Sequence, residues 1–528
     1  MASSNSAAPT SETPARGEAS FTSILWEQAP RASEIDGLRQ PDSFGDLNLD
    51  QLVAAVVAGR ETYALKAFFY APLHQADAVH YRHEVFRDLE KPDVRTSLRE
   101  FAEAMQSMRE QLAQAEKLRN RLQQQAWFLD AVATYCKAIS SLADTLGLLE
   151  LGSRGLRSLR DYLGSYASSE PVTAIATEAA ALLKALSEIR YDLQIEGLKV
   201  TVSRYEDEPD YGAEIDETFS RFKQGAVRSQ LRDLRNYPDM DHVEERILEL
   251  VARLHPQVFG ELTVFCTRRK DYLDETIARF DREIQFYLAY LELVERLRPA
   301  GLSFCYPNVS ARSKETKVEE TFDLALANKL VAEGREVVPN DFYLKGQERV
   351  FVVSGPNNGG KTTFARAFGQ LHHLAALGVL VPGREAQLYL PDRIFTHFER
   401  EENIETLRGK FEDELVRVHA ILEQATAESV IVMNESFNST TLNDALYVGT
   451  EVMRRILDLG CLGLYVTFVE EIASLSDAAV SMVSQIVPEN PAQRTLKVLR
   501  QAADGLAYAW AIADKYGLTY ERLLERID

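Results

Sequence analysis

The sequence predicts a multidomain protein in which a long-helix arm with a small inserted tip is followed by a C-terminal α/β P-loop NTPase domain. Three observations carry that expectation. Apolar residues step by three and four over two long stretches before residue 300, and the period changes between those stretches. From about Gly301, strand-like and helical runs alternate around a glycine-rich G-x-x-x-x-G-K-[ST] segment. The 528 residues, 45% of them hydrophobic, supply more than one core. The expected division is a polar, disordered tail over 1–30, a helical region over 31–300 with its insertion at about 185–255, and the α/β domain over 301–528.

The tail, MASSNSAAPTSETPARGEAS, has no apolar h-region, and the sequence has no run of eighteen apolar residues. A secretory signal and a membrane span are therefore not expected, and a cytoplasmic protein is. Cys136, Cys266, Cys305 and Cys461 lie far apart, which reads as reduced thiols. The net charge of −21 is spread over both halves, so nucleic acid would have to be gripped by local basic surfaces.

The first apolar series is Leu98, Phe101, Met105, Met108, Leu112, Ala115 and Leu122, expected as one seam on a long helix interrupted at Arg119. Its expected partner is Leu273, Ile277, Phe280, Ile284, Tyr287, Leu291 and Val294, stopped by Pro299 and Gly301. In the insertion, Leu193, Ile195, Val200 and Val202 alternate around Glu196-Gly197, the pattern of a β-hairpin. A basic stretch follows, with Arg221, Lys223, Arg228, Arg232 and Arg235 interleaved with Phe219 and Phe222. These are the DNA-contact candidates, cations for phosphates with aromatics beside them. Arg154, Arg157, Arg160 and Arg268-Arg-Lys270 are weaker versions of the same pattern. His80, His83 and Glu84, with His74 nearby, only hint at metal ligands, and His372-His373 reads as packing or surface.

The chemistry concentrates at Gly355, Pro356, Asn357, Asn358, Gly359, Gly360, Lys361, Thr362 and Thr363. The apolar run Val350 to Val353 precedes this segment and a helical run follows it. Glycines let backbone N–H groups wrap phosphates, Lys361 reaches the β- and γ-phosphates, and the Thr362 hydroxyl ligates Mg²⁺. ATP and Mg²⁺ are the expected ligands. A second apolar run, Val430 to Met433, ends in Asn434-Glu435, where such enzymes hold magnesium through a bound water and place the acid that activates the attacking water. Asn434 stands where Asp is usual. Exchanging a charge-assisted bond for a neutral one weakens magnesium binding roughly tenfold.

GPNNGGKTT, Asp392-Arg-Ile-Phe395, Phe411 with Glu414, Asn434-Glu435 followed by Ser439-Thr-Thr441, Gly505-Leu-Ala507 and Val338-Pro-Asn340-Asp341 together resemble the ATPase domain of the MutS DNA mismatch-repair family. The resemblance covers about 320–520, and more loosely 45–300 as a core, lever and clamp. It implies that Asn340 joins the nucleotide site and that the protein is a homodimer through its ATPase domains, clamping DNA under ATP control. It also marks departures. On this resemblance the core-like helices are expected to begin by about residue 45, and the family's mismatch-reading and connector domains are not expected ahead of them. Thr467-Phe468 replaces the family's Thr-His, Arg408-Gly-Lys410 replaces its serine-containing trans segment, and Val337 stands where an aromatic is usual. Slow hydrolysis and a preference for distorted or branched DNA are the resulting expectations. The rival is a nucleotide-gated scaffold that binds a protein partner and little or no DNA.

Overall fold

The computed structural model describes residues 21–197, 199–206, 240–399, 409–487 and 490–502. The chain divides into two compact units. Of the described residues, the first comprises those within Leu89–Leu151 and Leu156–Asp281 together with Phe21; the second comprises those within Thr22–Asp88, Gly152–Gly155 and Arg282–Asp528. This differs from the expected boundary near residue 300. Residues 21–30, assigned to the tail on composition, are packed: Ile24 and Leu25 are buried, and the Glu283 carboxylate accepts from Ser23 Oγ and from the Ile24 N–H, each at 2.8 Å. Polar composition hid a segment ordered by contacts far along the chain.

The first unit is helical. Pro92–Lys117 and Arg121–Leu148 pack against each other as a hairpin. The seam expected on one helix is split between two, because the Asn120 side chain accepts from the N–H groups of Leu122 and Gln123 and starts a new helix there. Leu98, Phe101, Met105 and Met108 are buried on the first helix, whereas Leu122 sits on the second. Phe101 still meets the downstream series, its ring 5.2 Å from that of Phe280. Glu170–Ser187, His242–Leu254 and Pro256–Arg268 are further helices. The expected hairpin forms from β1 (Tyr191–Glu196) and β2 (Lys199–Arg204), Ile195 opposite Val200, with Gly197 in the turn at φ +61°.

In the second unit, short strands β3 (Phe304–Cys305), β4 (Asn308–Ser310), β5 (Thr316–Thr321) and β6 (Asn340–Leu344) precede β7 (Val350–Ser354). Then come β8 (Val381–Pro382), β9 (Glu385–Tyr389), β10 (Ile394–Phe398), β11 (Val430–Asn434), β12 (Leu462–Val466), β13 (Ala479–Val487) and β14 (Asn490–Arg500). The main sheet has the order β10-β11-β12-β7-β13-β14, parallel except for the antiparallel β13–β14 pair. A smaller mixed sheet runs β4-β9-β5-β6. β7, β11 and β12 are buried on both faces, as near-continuous apolar runs in a parallel sheet require. Their C-terminal ends lie at the side of the glycine-rich 355–360 loop, the edge where open α/β sheets bind ligands.

The helix after that loop, Lys361–Ala376, is buried along most of its length. Its C-terminal carbonyls are taken up within the same unit: Leu73 N–H donates to Ala376 O at 2.6 Å and the buried Arg82 guanidinium to Leu377 O at 2.7 Å. Among the described residues no helix is long and apolar enough to cross a membrane.

Candidate functional site

β7 delivers the chain into a loop whose backbone only glycine tolerates at key points. Gly355 has φ +115°, and a Cβ there would sit 3.0 Å from Ser484 O. A Cβ on Gly359 would come within 1.9 Å of Ser484 Oγ. β13 thus presses against the outside of the loop. The crest, Asn357 and Asn358, is exposed, while Thr362 and Thr363 are half-buried at the helix start.

Lys361 is only 4% exposed. Its Nζ donates to Gly355 O at 3.0 Å and Pro356 O at 3.1 Å, lies 4.0 Å from Glu435 Oε1, and faces the Phe468 ring at 4.9 Å. Burial pushes its pKa down, Glu435 opposes the fall, and Arg494 adds to it. The ammonium therefore donates to neutral carbonyls, which anionic phosphate oxygens can replace as stronger acceptors.

At the end of β11, Asn434 is 6% exposed and its Oδ1 has no hydrogen-bond partner among the described residues. Ser354 Oγ, at the end of β7, is likewise buried and unmatched. Orphaned acceptors of this kind normally have a partner, protein or otherwise. The residues present fit a magnesium–nucleotide ligand: a glycine cradle, a lysine, the Thr362 hydroxyl, and a buried amide oxygen with no partner among the described residues.

Glu435 and Phe437 both hold left-handed backbone, φ +53° and +67°. Their turn is pinned from three sides. Glu435 N–H donates to Val466 O at 2.9 Å, Ser436 Oγ pairs with His397 Nδ1 at 2.8 Å, and Phe437 N–H donates to Glu414 Oε2 at 3.0 Å. Glu414, on the helix Lys410–Gln424, also accepts from Ser439 Oγ at 3.4 Å, and burial raises its carboxyl pKa. Sequence reasoning reached Glu414 only through the resemblance, because a glutamate on an amphipathic helix carries no local signal.

Asn340, expected beside the nucleotide, turns to β14 instead: Nδ2 donates to Leu496 O at 3.2 Å and Oδ1 accepts from Val498 N–H at 2.8 Å. A side-chain amide matches alternate backbone groups along one strand edge, so Asn340 ties β6 to the strand that lies against Gly360. Sequence reasoning missed β14's other contribution, Arg494, whose Nε donates to Asn357 O at 3.1 Å.

The DNA-contact candidates Arg221, Lys223, Arg228, Arg232 and Arg235 lie outside the described residues, as do Arg408 and Gly505-Leu-Ala507. Of the weaker basic candidates, Arg154 pairs with Glu27, Asp77 and Glu84, Arg160 with Asp161, Arg268 and Arg269 with Glu178, and Lys270 with Asp271. No group of three or more potential metal ligands occurs among the described residues. His83 is buried against Tyr306, and burial lowers its pKa to about 3. His372 and His373 are buried and bond the carbonyls of Phe368 and Phe69. All four cysteines are free.

The family model for MutS domain V matches residues 351–523. The DNA mismatch repair protein MutS of Zymomonas mobilis is 32% identical over 197 residues, 37% of this chain and 22% of that protein. Those of Thermosipho melanesiensis and Thermotoga neapolitana are each 24% identical, over 51% and 54% of this chain and 32% and 35% of theirs. The matched part therefore spans about a fifth to a third of the length of these relatives. With its glycine-rich loop, Asn434-Glu435 strand end and Glu414 support in place, the chain is MutS-like, its residues 351–523 matching MutS domain V.

Proposed function

We propose that this chain binds ATP with Mg²⁺ between its phosphate loop and the Asn434-Glu435 turn, hydrolyses it slowly, and uses the bound state to set its grip on DNA in mismatch repair or on distorted or branched duplexes. The observation that carries the reading is the buried Lys361 ammonium, 4.0 Å from Glu435, whose chain neighbour Asn434 has a buried Oδ1 with no partner among the described residues. The likeness to DNA mismatch repair proteins supports the repair context. A homodimer through the ATPase domains follows from the same likeness.

In this scheme the loop amides and Lys361 bind and orient the phosphates. Mg²⁺, when bound, neutralises phosphate charge; Thr362 and, through a water, Asn434 are the groups that would hold it. Glu435, fixed by its strained turn, takes the proton of the attacking water. Phe468 contributes an apolar wall and no proton. A ligand that contacts one conformation more strongly than another shifts the balance between them, which is how the γ-phosphate would act on DNA grip.

The test is ATP hydrolysis by wild type and Glu435→Gln, with and without junction, mismatched and plain duplex DNA. Hydrolysis that Glu435→Gln abolishes, and that branched or mismatched DNA alters more than plain duplex, supports the proposal. Wild-type hydrolysis indifferent to every DNA overturns the DNA part. Equal rates in the two proteins overturn the role of Glu435.

A further inference from the structure

We propose that Arg494 is a second cation for the triphosphate, delivered to the phosphate loop by the β13–β14 hairpin. This rests on the nucleotide reading above and names one further ligand group within that site.

Both strands of the hairpin touch the loop. On β13, Ser484 abuts Gly359 so closely that no side chain fits between them; its hydroxyl is 1% exposed and has no hydrogen-bond partner among the described residues. On β14, Arg494 reaches the exposed crest, where its Nε donates to Asn357 O at 3.1 Å. β14 is held there by Asn340, bonded to Leu496 and Val498, and by Lys497, whose ammonium donates to Pro339 O. The arginine is therefore placed by the sheet and not by a free surface loop.

Charge gives the placement its meaning. The guanidinium is near enough to Lys361 to help depress that ammonium's pKa, so two like charges are gathered around one short loop. The carboxylate facing Lys361 is Glu435, 4.0 Å away, and the position that usually adds a second carboxylate is the neutral Asn434. Such a site is electropositive until a polyanion enters. The guanidinium fork suits phosphate oxygens and can exchange a neutral carbonyl for a charged acceptor. Arg494 thereby offsets in nucleotide affinity some of what Asn434 gives up in magnesium affinity.

The experiment is calorimetric titration of the full chain with ATP and with ADP at low and moderate salt, for wild type, Arg494→Gln, Arg494→Lys and Lys361→Ala. Arg494→Gln should weaken ATP binding by about ten- to a hundredfold, affect ADP less, and flatten the salt dependence; Arg494→Lys should restore the slope. Arg494→Gln binding ATP like wild type overturns the proposal. So does equal loss of ATP and ADP with an unchanged salt slope, the mark of a residue that only positions the loop. If Lys361→Ala abolishes binding while Arg494→Gln binds ATP like wild type, the nucleotide site stands and only this proposal falls. If wild type takes up no nucleotide, both fall.

Discussion

The Phe437 N–H donates to Glu414 Oε2 at 3.0 Å, so a carboxylate on the helix Lys410–Gln424 holds the turn that carries Glu435. The turn contains two non-glycine residues in left-handed backbone, a conformation that persists only where its surroundings fix it. Glu414→Ala should lower ATP turnover at least tenfold, leave ATP affinity within a few-fold, and cost about 1–3 kcal/mol of stability, the penalty for a buried unmatched donor. Steady-state kinetics alongside denaturant unfolding checks this. Unchanged turnover would mean that the turn holds itself.

Gly359 meets Ser484 Oγ where a Cβ would stand 1.9 Å away. Gly359→Ala should therefore displace the loop and reduce ATP affinity by more than tenfold, the strain being of the order of 1–3 kcal/mol. Adding Ser484→Gly should recover part of the loss, because Pro356 O remains 3.0 Å from the new methyl. A double-mutant cycle on ATP affinity measures the coupling.

How much of this was legible in sequence depends on the range of the interactions. The glycine-rich turn between β7 and the helix Lys361–Ala376, the strand ending at Asn434 and the β1–β2 hairpin are local patterns of glycine, charge and alternation, and all three form. The helix break at Asn120 was legible in principle as a cap, but the apolar stepping through Leu122 concealed it. β10 and β13 carried no clear period, since His397 and Ser484 interrupt their apolar runs with buried polar groups. The packing of residues 22–88 with the rest of the second unit could not be read locally: it rests on pairs such as Tyr287 Oη to Ile24 O and Arg82 to Leu377 O, each more than two hundred residues apart. Arg494 was invisible for the same reason.

Acid stability should reflect three buried histidines of the second unit. Burial lowers the pKa of His83 to about 3 and of His372 and His373 to about 4, against 6.5 when unfolded. The unfolded chain takes up these protons first, so their contribution is complete above pH 6.5 and is lost as pH falls from 6.5 toward 4. At the bottom of that window His372 and His373 each withdraw about 3 kcal/mol. Thermal melts from pH 7.5 to 4 should show the decline, and His372→Phe should make it shallower; a parallel curve for the variant would contradict the burial argument.

Asn434→Asp restores a charge at the end of β11. It should strengthen magnesium-dependent ATP binding roughly tenfold, the difference between a charge-assisted and a neutral hydrogen bond. Titrating magnesium at fixed ATP measures the shift in midpoint. An unmoved midpoint would place the metal elsewhere.

The most direct measurement is equilibrium binding of ATP to wild type and Lys361→Ala in millimolar magnesium, with thermal melts showing both folded. Saturable one-to-one binding by wild type, lost in Lys361→Ala, is the predicted result. Absence of binding in wild type, or equal binding in both, would contradict the assignment of residues 355–362 as the nucleotide site.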